Sequence, residues 1–372
     1  MPDPTTTRIH QLISARGQTQ RQFAAEVGID ETKFSKSMSG VRRFTSLELA
    51  RIAELGEVTV DWLLGVARPL PATAARTRDA VDSEQAAIAE ATRLSRFWAD
   101  LEFLGYRQPR ADLKAGPPGG HPGSQGRALA ATAIQMTVAA GHQPWETCDL
   151  TGLVESVFGI DVRVMRFETR YEGLSWRDAT CSLMVVGTSE VPARQRFTIA
   201  HELGHLLASD DQGLHSDANL NDGDHTKQDT EVRANAFATE FLMPAKVLTE
   251  RARNLEWSER AFAMLSCDLR VSPVALAWRL LNLRLITEEQ CARFRPITGL
   301  AAAELAGRLD EHVRLISRSE QPRIPLQLLK TSYRAYQEGQ ATIRPLANLL
   351  AIDPGQLKAI MDGAREDIPL SS

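Results

Sequence analysis

Residues 197–211 read FTIAHELGHLLASDD, and two histidines set inside an apolar run decide how the chain is to be read. His201 and His205 stand four residues apart, which on a helix places them on one face, one turn from each other. Two imidazole nitrogens so spaced reach a single metal ion, and Glu202 beside them can take a proton from water activated there. The competing reading is an ordinary core helix whose histidines hydrogen-bond internally. Against it, FTIA precedes and LLA follows three ionisable groups, and burying those without a common partner is strongly unfavourable. Gly204 adds a helix-interior penalty of about 1 kcal/mol relative to Ala, which is explained if something must approach closely there.

Zinc takes a third protein ligand and leaves its fourth position to water. TEVRANAFATEFLMP, residues 230–244, has a helical period ended by Pro244, with Ala234, Phe237, Ala238, Phe241 and Leu242 on its apolar face. Glu231 lies on or beside that face with Asn235 one turn on, whereas Asp229 and Glu240 project elsewhere. Glu231 is therefore the candidate third ligand; the alternative is a glutamate placed in a first turn by the helix dipole. Such a His/His/Glu set suits Zn2+ and also accepts Mn2+ or Fe2+.

ARQRFTIAHELGHLLAS followed by EVRANAFATEFLMP resembles the ImmA/IrrE family of bacterial metallopeptidases, over roughly residues 127–285. The resemblance implies that His201, His205 and Glu231 bind zinc, and that Glu202 is the general base of peptide hydrolysis. VRVMRF (residues 162–167) alternates as a strand does. CSLMVVG (residues 181–187), short, β-branched and bounded by turn residues, reads as an edge strand on which an extended substrate could lie. Tyr171, His215 and His225 are the nearest polar candidates to stabilise an oxyanion. DDQGLHSDANLNDGDHTKQD (residues 210–229) reads as a loop over the site.

A second, separate signal lies in QTQRQFAAEVGIDETKFSKSMSG, residues 18–40. Ala24, Gly28 and Phe34 suit a helix, a tight turn at Gly28 and a second helix packed back on the first, with Asp30 as N-cap. Residues 8–43 hold seven Lys/Arg against three Asp/Glu, so this stretch is locally basic. It resembles the Xre-type (Cro-like) helix-turn-helix family over residues 8–65. That resemblance implies a double-stranded DNA operator bound by a homodimer. Glu31, Thr32, Lys33, Ser35, Lys36 and Ser37 then lie at the start or exposed side of a recognition helix, and Gln20, Arg42 and Arg43 meet phosphates. The alternative is a helical bundle used for protein contacts.

The whole chain of 372 residues carries a net charge of −4, so no global field demands nucleic acid or membrane, and any basic surface is local. The four cysteines, Cys148, Cys181, Cys267 and Cys291, form no CxxC pair and read as reduced thiols of a cytoplasmic protein. The start, MPDPTTTRIH, lacks the apolar core of a signal peptide, and no run has the roughly 20 apolar residues of a membrane span.

The expected fold is mainly α with a small β-sheet. Residues 1–66 form an all-α helix-turn-helix domain. Residues 67–126 form a helix (82–104) and a Gly/Pro-rich linker, QPRADLKAGPPGGHPGSQG (108–126). Residues 127–290 form an α+β zincin-like domain, and residues 291–372 a helical interaction segment. The combination predicts a DNA-binding transcriptional regulator with a zinc-dependent endopeptidase domain that cleaves a protein partner such as a repressor. The alternative is a non-proteolytic transcription factor whose zincin-like domain senses a ligand or stress.

Overall fold

The computed structural model describes residues 4–56, 63, 78–109, 120–168, 171–210 and 223–366. The chain divides between Thr73 and Ala74 into two compact units.

The first unit contains α1 (Pro4–Ala15), α2 (Gln20–Val27), α3 (Glu31–Met38) and α4 (Ser46–Leu55). Thr19 starts α2 through a capping box with Gln22, satisfying two amides that would otherwise lack partners. Gly28 ends it at φ 72, its N–H donating to the carbonyls of Ala24 and Ala25, a left-handed cap that costs glycine nothing sterically. Two residues later the Asp30 carboxylate accepts from the Lys33 N–H and begins α3. The turn brings Phe34 to 6.0 Å from Phe23, ring centre to ring centre, with Phe44 edge-on at 5.7 Å. Around these rings Ile9, Ile52 and Leu63 are fully buried.

The second unit begins with α5 (Arg78–Phe103), α6 (Pro122–Ala139) and α7 (Leu150–Phe158), followed by β1 (Asp161–Met165), β2 (Gly173–Arg177) and β3 (Ser182–Gly187). Next come α8 (Pro192–Ala208), α9 (Gly223–Leu242), α10 (Ala245–Ala252), α11 (Glu259–Leu269), α12 (Pro273–Asn282) and α13 (Glu288–Phe294). The end is α14 (Gly299–Ala306), α15 (Leu309–Ser319), α16 (Leu326–Gln337), α17 (Ile343–Leu350) and α18 (Pro354–Glu366). No single described helix is long and apolar enough to cross a membrane.

The sheet runs β1-β3-β2, with β1 parallel and β2 antiparallel to β3. The strand expected at the edge is thus the central one. All six residues of β3 are buried, which explains its unbroken apolar run, because a strand covered on both faces has no reason to alternate. Met184 and Val186 join Val162 and Val164 in the larger core, against α7, α8 and α9. Leu183 and Val185 face the opposite way into a second core, under α5 and α16. The edges are β1, whose Val164 bridges to Arg323 on its outer side, and β2, GLSWR, which carried no strand expectation.

Two expected boundaries disappear in this packing. α5 lays Ala87, Ala91, Leu94, Trp98 and Leu101 on the sheet, and the Trp98 indole N–H donates to the buried Asp161 carboxylate at 2.5 Å. In the stretch read as linker, the buried Gln108 side chain donates to the Ser182 carbonyl at 2.9 Å and accepts from its N–H at 2.7 Å. α6 starts inside the same stretch. A Cβ on Gly126 would lie 2.2 Å from the Arg233 carbonyl, so this glycine permits a close crossing of α6 and α9. The segment expected to be separate after residue 290 is likewise built in. Leu328 and Ala335 of α16 complete the second core, and Arg323 forms a two-bond ion pair with the buried Glu155 carboxylate, at 2.7 and 2.5 Å.

Candidate metal centre

α8 carries His201, Glu202 and His205, and α9 runs against it. A Cβ on Gly204 would meet the Phe237 ring at 3.1 Å, so the mid-helix glycine is what allows the two backbones to approach. That approach sets Glu231 opposite the histidines. α9 begins at Gly223, eight residues before Glu231. The first-turn dipole effect therefore does not account for this glutamate, and residues 223–229 of the stretch read as a loop are helix.

The two His Nε2 atoms lie 3.1 Å apart. Glu231 brings Oε2 to 3.4 Å from His201 Nε2 and Oε1 to 3.6 Å from His205 Nε2. Donor atoms around a tetrahedral zinc with bonds of about 2.0–2.1 Å sit about 3.3 Å from one another, so the spacing fits a divalent ion. The far side of each ring agrees. His201 Nδ1 faces Asn235 Oδ1 at 3.2 Å, and His205 Nδ1 faces Asp210 Oδ2 at 3.1 Å. Both partners are acceptors, which holds a proton on Nδ1, so that an ion displacing the Nε2 proton meets each Nε2 lone pair directed at the shared point. Arg233 in turn pairs with the nearly fully buried Asp210 carboxylate.

Burial alone would lower the His205 imidazole, but its hydrogen bonds to Asp210 and Glu231 outweigh that and raise it to about 9. The hydrogen bonds from His201 and His205 hold Glu231 well below the usual carboxylate range. Glu202 behaves oppositely: it is buried, its Oε2 has no hydrogen-bond partner among the described residues, and burial raises it despite both histidines. A carboxylate so placed is a stronger proton acceptor than one in water. Gly173 of β2 lies directly over it, since a Cβ there would come within 3.0 Å of Glu202 Cγ and Oε1.

Of the remaining candidates, Tyr171 is part-buried near Glu202, and burial together with the Glu202 and Glu84 carboxylates pushes its phenol well above the ordinary range. It therefore remains an O–H donor. His215 lies outside the described residues, and His225 falls in the first turn of α9 with its side chain outside them. Glu240 pairs with Arg279 and Asp229 is exposed, both away from the centre. Asp210, Arg233 and Gly173 went unnoticed in the sequence. Asp210 reaches His205 because Ser209 adopts φ 56 and folds the chain back, a local conformation with no periodic signature.

In the first unit, Gln20, Glu31, Thr32, Lys33, Ser35, Lys36 and Arg43 are exposed. Two residues sit otherwise than expected. Ser37 is buried, and Arg42 is half-buried, donating to Ser37 Oγ at 2.9 Å and to both Glu48 oxygens at 2.6 and 2.7 Å. Their polar groups are occupied in closing the turn between α3 and α4.

Residues 155–281 match the Peptidase_M78 family model, the IrrE N-terminal-like domain, and that span contains every residue of the metal centre. The chain is also similar to the radiation response metalloprotease IrrE of Deinococcus radiodurans, 32% identical over 129 residues, covering 33% of this chain and 37% of the relative. The IrrE of Deinococcus deserti is 32% identical over 99 residues, covering 26% of this chain and 35% of the relative. The chain thus spans little more than a third of the length of the curated relatives it matches.

Proposed function

We propose that the second unit is a zinc-dependent endopeptidase. The observation that carries this reading is the convergence of His201, His205 and Glu231 with a buried Glu202 beside them, each imidazole backed by its own acceptor. A divalent ion held by the three ligands supplies Lewis acidity, polarising a carbonyl and lowering the pKa of water to about 7 in the case of zinc. Glu202 accepts the proton of the attacking water on its carboxylate and returns it to the departing amine. An extended peptide adds to the edge of β2 that is unpaired among the described residues, where Gly173 leaves room over Glu202, and this replaces β3 as the docking strand. Tyr171 is placed to donate its O–H to the developing oxyanion.

The first unit, in the same reading, binds double-stranded DNA as a homodimer. What supports this is the sharp turn at Gly28 and the exposed Glu31, Thr32, Lys33, Ser35 and Lys36 on α3, with Gln20 and Arg43 left for phosphates. The protein is then a cytoplasmic transcriptional regulator whose peptidase cleaves a protein partner such as a repressor.

Elemental analysis of the purified chain tests the centre. About one zinc per chain is expected in the native protein and in Glu202→Gln, and little in His201→Ala. Cleavage of a candidate repressor must vanish in Glu202→Gln. A native chain that binds no metal after supplementation rules the peptidase out. One that binds zinc, yet whose regulation survives Glu202→Gln, is a sensor rather than a protease.

A further inference from the structure

At the end of α8 away from Ser209 lies a cleft of about 110 Å³, open to solvent on one side and lined also by the turn between α11 and α12 and by α14 and α15. Val271, Pro273, Ala302 and Leu315 give it apolar walls. Its charged lining is uneven: Arg196, Arg270 and Arg308 stand there against a single carboxylate, Glu311.

Arg270 and Arg308 both pair with Glu311, and Arg308 also with Asp268. Arg196 has no such partner among the described residues. Its side chain is 92% removed from solvent, with 8% exposed, and it donates only to the neutral carbonyls of Thr147 at 2.7 Å and Pro144 at 3.0 Å. Among the described residues its Nε, itself shut off from solvent, has no hydrogen-bond partner, and neither does the equally buried Nε of Arg270. Burial and the neighbouring Arg270 charge together push the Arg196 guanidinium down to about 9. A buried cation without a counter-charge is strongly unfavourable, and an anion in the cleft would offset that cost. The first turn of α8 also lines the cleft, and Val191 provides it with no side-chain cap, leaving positive dipole at the same place.

We propose that this cleft binds a small organic monoanion, a carboxylate with a short aliphatic body. The head lies against Arg196, Arg270 and the start of α8, and the body against Val271, Ala302 and Leu315. The apolar walls set the charge, because phosphate would leave oxygens unpaired there whereas a carboxylate has only two to satisfy. The site is formed by residues outside the metal centre and does not rest on the peptidase reading.

The test is calorimetric titration and thermal melting of the full chain with sodium butyrate, butyramide and inorganic phosphate at constant ionic strength. Butyrate is expected to bind saturably, one per chain, and to raise Tm, with butyramide and phosphate at least about tenfold weaker. Arg196→Met abolishes this binding. Gly299→Leu, which fills the cleft from the half-exposed start of α14, abolishes it without touching the buried arginine, and decides the matter if the Arg196 variant does not fold. His201→Ala leaves butyrate binding intact, separating the cleft from a carboxylate held at a metal. Absence of saturable butyrate binding overturns the proposal. So do equal binding of butyramide or phosphate, retention in Gly299→Leu, and loss in His201→Ala.

Discussion

Asp210 shows how much of the centre depends on a residue that is not itself a ligand. It fixes the His205 ring through Nδ1 and is held by Arg233, so Asp210→Ala leaves all three ligands in place but frees the ring. Loss of such a partner typically weakens metal binding by about 10–100-fold; competition with a chromophoric chelator measures it, and an unchanged affinity would show that Asp210 serves only the helix end. A second residue-scale prediction concerns Asp161, whose carboxyl is pushed up to about 7 by burial, with the Glu155 charge adding to it. A carboxyl raised on folding binds its proton more tightly in the folded chain. Its contribution to stability is therefore complete below about pH 4 and lost as pH rises to about 7, a loss of up to about 4 kcal/mol. Asp161→Asn does not titrate, so its Tm should gain on that of the native chain between pH 5 and pH 8. A difference independent of pH would refute the shift.

At the scale of elements, two glycines set where α9 lies. Gly126 admits it on one side and Gly204 on the other, with Phe237 packed on the latter. Gly126→Ala places a methyl group against the Arg233 backbone, where no side-chain rotation relieves it. The expected result is a loss of about 1–3 kcal/mol from overpacking, together with weaker metal binding as Glu231 moves off its partners. Denaturant unfolding and metal titration of the same variant read both effects, and undiminished metal affinity would show that α9 is positioned by something else.

Across the whole molecule, the sheet is a shared wall between two cores, and chain from three distant stretches is needed to cover it. Glu155 is the clearest tie. Besides its ion pair with Arg323 it accepts from the N–H groups of Val162 and Leu326, joining α7, β1 and the start of α16. Glu155→Ala strands the arginine charge and two amides, and a loss of about 3–5 kcal/mol is expected. Chemical denaturation measures it, and a loss below about 1 kcal/mol would mean that the residues after 320 pack independently.

HELGH and the EVRAN segment were legible because helical spacing and ligand chemistry are local properties, and the turn at Gly28 was legible because only glycine takes that conformation freely. Amino-acid order also placed α5 and the starts of α3 and α7, since periodicity and capping act within a few residues. What it left undecided depends on partners far along the chain. β3 and β2 exchange the roles of centre and edge because α5 and α16 bury a face that no residue near β3 announces. The stretch around Gly126 reads as a linker until α9 is seen against it, since glycine serves an open turn and a tight helix crossing equally well. Asp210, Asn235 and the uncompensated charge of Arg196 acquire meaning only from neighbours brought up by folding. Burial and electrostatics are set by what surrounds a group in space, and sequence separation does not record that.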